Sequence, residues 1–153
     1  MLVVEDIQSN FFLVSSILKN KCQLLHAPNG LEAVEIVRTQ PVDLVLMDMK
    51  MPVMDGRTAT SEIRKFNAEI PIIALTAHAF DADRVAALKA GCDDYLVKPI
   101  NGAKLMQTLK EYGCWKEGIK NVLIWKRVYS ILSVFNISVT CLWWRKKRSA
   151  FWM

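Results

Sequence analysis

Cysteine, histidine and glycine are sparse in this chain, and each scarcity narrows what it can do. The four cysteines, Cys22, Cys92, Cys114 and Cys141, lie far apart and form no C-x-x-C pair. Neither of the two histidines, His26 and His78, has a metal-binding neighbourhood. This spacing argues against a disulfide framework or a structural zinc site, and reduced thiols in the cytoplasm are the expected state. No glycine-rich turn follows the first apolar run, which removes a dinucleotide-binding reading. Met1 leads into LVVED with no basic stretch ahead of an apolar core, so no secretory leader is expected.

What is present is enough for one domain with a real core, since the chain has 153 residues, 52% of them apolar and 23% charged. The net charge of +5 is unevenly spread. Residues 1–113 hold 12 Lys/Arg against 14 Asp/Glu, a net of −2, whereas residues 114–153 hold eight Lys/Arg and one acid. The basic character thus belongs to the end of the chain, and the chain divides on composition into 1–113 and 114–153.

Up to Gly113, short apolar runs alternate with amphipathic stretches. The runs are Leu2–Val4, Leu24–Ala27, Leu44–Met47, Ile72–Leu75 and Tyr95–Val97. Each is nearly continuous, as expected of a strand buried on both faces. The intervening stretches have helical spacing: Ser9 to Lys19; Leu31, Val34 and Val37; Ala59, Ile63 and Phe66 after Gly56; Val85, Ala87 and Leu88 before Gly91; Leu105 and Leu109 after Pro99. Five strands alternating with five helices predict a parallel sheet covered on both sides. In such sheets the ligand lies beyond the carboxyl ends of the strands.

The residues at those ends are therefore the ones to inspect. They are Glu5-Asp6, Asp48, Thr76-Ala77 and Lys98-Pro99. Three carboxylates in one pocket repel one another unless a positive charge sits among them. Mg²⁺, a hard cation with a preference for oxygen, answers that need, and Lys98 adds a fixed charge. A site of this kind suits an anion that also binds metal, with phosphate the best candidate.

The segments VVED (3–6), LMDMKMPVMDG (46–56), ALTAHA (74–79) and AGCDDYLVKP (90–99) together resemble the receiver domain of two-component response regulators, over residues 1–112. The resemblance implies a flavodoxin-like (βα)₅ fold with strand order 2-1-3-4-5. It makes Asp48 the phosphoacceptor for a phosphohistidine on a histidine kinase or histidine phosphotransfer protein. Glu5, Asp6, Asp48 and the backbone carbonyl of Lys50 would hold Mg²⁺. Lys98 would neutralise the phosphoryl group in flight. Thr76 and Tyr95 would be the switch pair, Pro99 a cis-proline aiming Lys98, and Lys50 and His78 the positions tuning phosphoryl lifetime. The implied role is a signalling domain with self-catalysed phosphotransfer and dephosphorylation rather than a separate enzyme, with a phosphorylation-linked dimer allowed. The acid at position 5 is Glu rather than the commoner Asp. Met1 stands where the first strand should already be under way, so leading residues are expected to be missing, with some loss of stability.

Blander readings weigh against each residue. Asp48 could cap a turn and Lys98 could be a solvated charge, but both sit where the other site residues require them. Tyr95 as plain core packing stays open beside the switch role. Asp55 is assigned to the turn with Gly56, and Met47, Met49, Met51 and Met54 to packing. Neither histidine lies in a kinase-type phosphoacceptor motif. An aspartyl-nucleophile phosphohydrolase needs an acid two residues beyond its nucleophile, where this chain has Lys50. A degenerate receiver serving only as a docking module is the remaining alternative, and the full set of site residues argues against it.

After Gly113 the rhythm stops. All five tryptophans fall here, and Val128–Trp144 runs 17 residues without a charge between Lys126-Arg127 and Arg145-Lys146-Lys147-Arg148. That length is at the lower limit of a membrane span, but three serines, Asn136 and Thr140 dilute its hydrophobicity. The heavier basic cluster on its far side would also place the receiver outside the cell. No output-domain or nucleic-acid-binding pattern is visible. The expectation is an unselected end of a truncated or frame-disrupted regulator or hybrid kinase, with a membrane anchor and a surface amphipathic segment as rivals.

Overall fold

An apolar run that tolerates water on neither face is stable in the middle of a parallel sheet with helices on both sides. The computed structural model, which describes residues 1–77 and 81–113, has this arrangement. Strands β1 (Leu2–Val4), β2 (Leu25–Ala27), β3 (Val45–Asp48), β4 (Ile72–Thr76) and β5 (Asp94–Val97) alternate with five helices. These are α1 (Gln8–Leu18), α2 (Gly30–Thr39), α3 (Gly56–Phe66), α4 (Asp81–Ala90) and α5 (Gly102–Glu111). The strands are parallel in the order β2-β1-β3-β4-β5, the flavodoxin-like (βα)₅ order expected. Every residue of β1, β3 and β4 is buried, while the edge strands β2 and β5 are partly exposed.

Successive side chains along a strand point to opposite faces, so each central strand feeds two cores. Val4, Val45, Met47, Ile72 and Ala74 pack with Ala33, Val37, Ala59, Ile63 and Ala87 of α2, α3 and α4. Val3, Leu46, Ile73, Leu75 and Leu96 pack with Val14, Leu18, Leu105 and Leu109 of α1 and α5.

Three helix faces differ from the spacing-based expectation. Leu31 is 55% exposed, because the inward stripe of α2 is Gly30, Ala33, Val34 and Val37, and Leu31 lies one residue off it. In α4 Ala87 alone of the expected three is buried, and Val85 and Leu88 on either side of it are exposed. Phe66, at the last turn of α3, is also exposed and lies under the Arg38 guanidinium, 4.8 Å from the ring centre. The expected helix stop at Gly91 is present, with φ at +105°.

β3 starts and ends one residue later than the apolar run. Leu44 is fully buried yet precedes the strand, its carbonyl accepting the Leu2 N–H at 2.9 Å. Asp48 is drawn into the ladder opposite Leu75. Beyond it the chain turns sharply. The Pro52 carbonyl accepts the Met54 N–H at 2.8 Å across Val53, whose φ is +68°. This is a γ-turn centred on a left-handed β-branched residue, a strained combination. Val53 is 81% exposed, so packing does not compensate. Replacing it with asparagine, which tolerates this region, is expected to raise stability by about 1 kcal/mol. An unchanged or lower urea midpoint for Val53→Asn would show that the turn is relaxed.

Asp55 ends the loop as the N-cap of α3, accepting the Thr58 N–H at 2.8 Å. That hydrogen bond, joined by one from the Thr58 side chain and then by the nearby Arg57 charge, outweighs burial and holds its carboxyl below the usual carboxylate range. Asp55 is thus structural, as its place beside Gly56 suggested. The role expected of His78 and the readings of residues 114–153 lie outside the described residues. Among the described residues no helix is long and apolar enough to cross a membrane.

Candidate functional site

The three central strands end on polar residues because the ladder continues just past the apolar runs. Glu5 follows β1 and donates its N–H to the Ala27 carbonyl at 3.0 Å. Asp48 is the last residue of β3, and Thr76, the last of β4, pairs with Val97. Lys98 follows β5, its N–H bonded to the Thr76 carbonyl at 2.7 Å, and the Lys98–Pro99 peptide is cis.

These backbone ties bring Glu5, Asp6, Asp48, Thr76 and Lys98 to one edge of the sheet. The Lys98 ammonium lies 2.6 Å from Oε2 of Glu5 and 2.6 Å from Oδ2 of Asp48. Glu5 is 1% exposed and Asp48 5%, so two carboxylates that would repel each other in a dry site share one cation. The second oxygen of each is also held. Asn10 donates its amide to Oε1 of Glu5 at 2.9 Å, and the Lys50 N–H donates to Oδ1 of Asp48 at 3.1 Å. Burial alone would lower the Lys98 pKa. Its hydrogen bonds to Asp48 and Glu5, with their charges, outweigh that and raise it above an ordinary lysine.

Asp6, exposed at the rim, completes an acidic cluster in which one carboxylate oxygen each of Glu5, Asp6 and Asp48 lies within 4.8 Å of the others. Three carboxylates and one ammonium leave a formal charge of two minus. A hard divalent cation fits both the donor chemistry and that charge. Beside the cluster opens a cleft of about 220 Å³ lined by Ile7, Asn10, Asp48, Lys50, Arg57, Thr76 and Lys98, among others. Cation, cleft and a carboxylate with both oxygens oriented suit the binding and transfer of a small anionic group.

Of the residues singled out from sequence, Glu5, Asp6, Asp48, Thr76, Lys50 and Lys98 meet here. Tyr95 stands apart on β5. It is half-buried against the core on the α4 side, with the Arg84 guanidinium 5.2 Å and the Lys104 ammonium 5.9 Å from its ring centre. Asn10 was not anticipated, and only its place in the first turn of the helix after Glu5 could have signalled it. Gly56 was assigned to the turn alone. A Cβ there would meet the Asp48 carbonyl oxygen at 2.0 Å, so it is a spacer for the site. Cys92, near α4, has its thiol pushed up to about 11 by burial and takes no part.

Comparison with known proteins agrees with this geometry. Residues 1–110 match the family model of the response regulator receiver domain. The sensor histidine kinase GacS of Pseudomonas protegens is 40% identical over 118 residues, covering 73% of this chain. The chain spans only 13% of that relative's length. Among solved structures, the receiver domain of sensor histidine kinase PA1611 from Pseudomonas aeruginosa, with a magnesium ion coordinated in its active site cleft, is 38% identical. It superimposes with a TM-score of 0.68 over 72% of this chain and 93% of that one. The receiver domain of Ssk1 from Saccharomyces cerevisiae, crystallised with the histidine phosphotransfer protein Ypd1, is 34% identical with a TM-score of 0.71, over 81% and 94% of the two chains. The chain belongs to the response regulator receiver domain family of two-component phosphorelay signalling.

Proposed function

We propose that residues 1–113 accept a phosphoryl group on Asp48 from the phosphohistidine of a histidine kinase or histidine phosphotransfer protein, in a Mg²⁺-dependent reaction. The observation that carries this reading is the Lys98 ammonium 2.6 Å from the carboxylates of both Asp48 and Glu5. A nucleophile held in that way has its attacking group and its charge-stabilising group oriented before the donor arrives. Kinship with the PA1611 receiver, whose structure holds magnesium, and with Ssk1, crystallised with Ypd1, supports the metal and the partner class.

The chemistry follows from the residues. A carboxylate oxygen of Asp48 forms a bond to phosphorus as the bond from phosphorus to the donor's imidazole nitrogen breaks, and that electron pair leaves with the imidazole. Glu5, Asp6, Asp48 and the carbonyl of Lys50 would hold Mg²⁺, which when bound supplies positive charge to the phosphoryl oxygens. Lys98 balances the opposite side of the developing charge. The Lys50 N–H keeps the Asp48 carboxylate from rotating. Thr76, at the cleft wall, turns its hydroxyl to the transferred group, and Tyr95 follows it inward, shifting the population of the β4–α4 side. In this account Lys50 also sets access to the phosphoryl group.

Incubation with Mg²⁺ and acetyl phosphate, read by intact mass, tests the proposal. The expected result is a gain of one phosphoryl group that Asp48→Ala abolishes and chelation of the metal prevents. No gain in folded protein would remove the phosphoacceptor role and leave a receiver that only docks.

A further inference from the structure

Glu5 carries the acidic pair, yet nothing in its side-chain contacts fixes the direction of its backbone. Its N–H extends the ladder to Ala27, but β2 stops at that residue, just before Pro28. The Glu5 carbonyl instead faces His26, whose Nε2 lies 2.9 Å from it. A carbonyl oxygen only accepts hydrogen bonds, so Nε2 carries the proton and donates. The imidazole is held in turn by Phe11 of α1, stacked on it with ring centres 4.0 Å apart and planes inclined by 22°. Phe11 directly follows Asn10, the residue that grips the Glu5 carboxylate.

We propose that His26 is a positioning residue for the metal-binding acids, acting through the hydrogen bond from its Nε2 to the Glu5 carbonyl. That carbonyl belongs to the peptide joining Glu5 to Asp6, and the plane of this peptide sets how both carboxylates leave the chain. Glu5, Asn10, Phe11 and His26 thereby close a ring of contacts linking the end of β1, the first turns of α1 and β2. Removing the donor frees the peptide to rotate, while Asn10 and Lys98 still hold the Glu5 side chain. Asp6, exposed at the rim, then loses its alignment with Glu5 and Asp48. Loss of a partner that orients metal ligands in this indirect way typically lowers metal affinity about tenfold or more. The inference rests on the phosphoacceptor reading, because it assigns His26 a role toward that site's metal.

Titration calorimetry with Mg²⁺ alone, with thermal melting run in parallel, tests it. His26→Phe keeps a ring to stack on Phe11 but has no donor, and is expected to weaken Mg²⁺ binding about tenfold. His26→Gln places an amide N–H near the position of Nε2 and is expected to restore affinity to within about threefold of wild type. His26→Asn, whose amide is one carbon shorter, should fail to restore it. This Gln–Asn pair decides the matter if His26→Phe does not fold. Wild-type affinity in folded His26→Phe, or equal weakening in the Gln and Asn variants, overturns the proposal while leaving the phosphoacceptor reading intact. A wild-type protein that binds no Mg²⁺ overturns both.

Discussion

Lys98→Met is expected to slow Mg²⁺-dependent phosphorylation by about a hundredfold, the usual cost of losing one preorganised charge at a reacting centre. It should also change the stability of the metal-free protein. Glu5 and Asp48 are both almost fully buried, and Lys98 is the cation between them. Removing one partner of a buried ion pair strands the other, at a cost of 3 to 5 kcal/mol in typical cases, roughly. Here the lysine side chain is 17% exposed, so water relieves part of that and about 2 to 3 kcal/mol is expected. Mg²⁺ at millimolar levels should recover much of the loss in the variant, since the metal offers the acids another cation.

The pH dependence has a definite sign. Lys98 has a folded-state pKa above the ordinary 10.5. Its contribution to stability is therefore complete at all pH values below 10.5 and is lost only as pH rises through the higher folded value. The stability gap between wild type and Lys98→Met should stay constant with respect to lysine ionisation up to about pH 10.5, then close between there and the higher folded value. Equal phosphorylation rates and equal urea midpoints would show that the ammonium is ornamental to the site.

Gly56→Ala is expected to be nearly as damaging, against helix propensity. Gly56 opens α3, and alanine there should stabilise a free helix by about 1 kcal/mol. The new methyl carbon, however, would lie 2.0 Å from the carbonyl oxygen and 2.9 Å from the carbonyl carbon of Asp48. Both are backbone atoms of a buried strand and cannot move aside as a side-chain tip could. Either the start of α3 or the end of β3 must shift. Overpacking of this kind costs about 1 to 3 kcal/mol or more, so a net loss near 2 kcal/mol is expected in urea denaturation. Because the residue displaced is Asp48 itself, phosphorylation should fall more than stability does. A stabilised variant with normal phosphorylation would mean that helix and strand are not in the close contact described.

Lys98 and Gly56 both act at the point where the strands end, and that shared point is what made most of the site legible in the sequence. Four short apolar runs stop on Asp48, Thr76, Lys98 and the Glu5-Asp6 pair, and a parallel sheet aligns the stopping points of its strands. Chain order and residue type were thus enough to gather those groups at one edge. Asn10 was hidden because a helix's first turn offers no apolar pattern to count, and its amide reaches Glu5 only once α1 is docked. His26 was hidden for a similar reason: its partner is a backbone carbonyl, and carbonyls leave no trace in sequence. The helix faces misread at Leu31, Val85 and Leu88 show a different limit. Spacing identifies a stripe, but the small residues Gly30, Ala33 and Ala87 are the ones buried, and at Gly30 a Cβ would already meet the Met54 carbonyl oxygen at 2.6 Å and the Ala59 Cβ at 2.9 Å, so size rather than hydropathy selects them. Asp48 was placed one residue beyond its strand because an acid was not expected inside a buried ladder. Lys98 is what allows it there.

The most direct test of the central claim is to locate the phosphoryl group after transfer from a phosphorylated histidine phosphotransfer protein in the presence of Mg²⁺. Borohydride reduction converts an aspartyl phosphate to homoserine, which peptide mass spectrometry then places in the sequence. Homoserine is expected at position 48 and nowhere else. Homoserine at Asp6 or Asp55, or none in folded protein whose donor is fully charged, would contradict it.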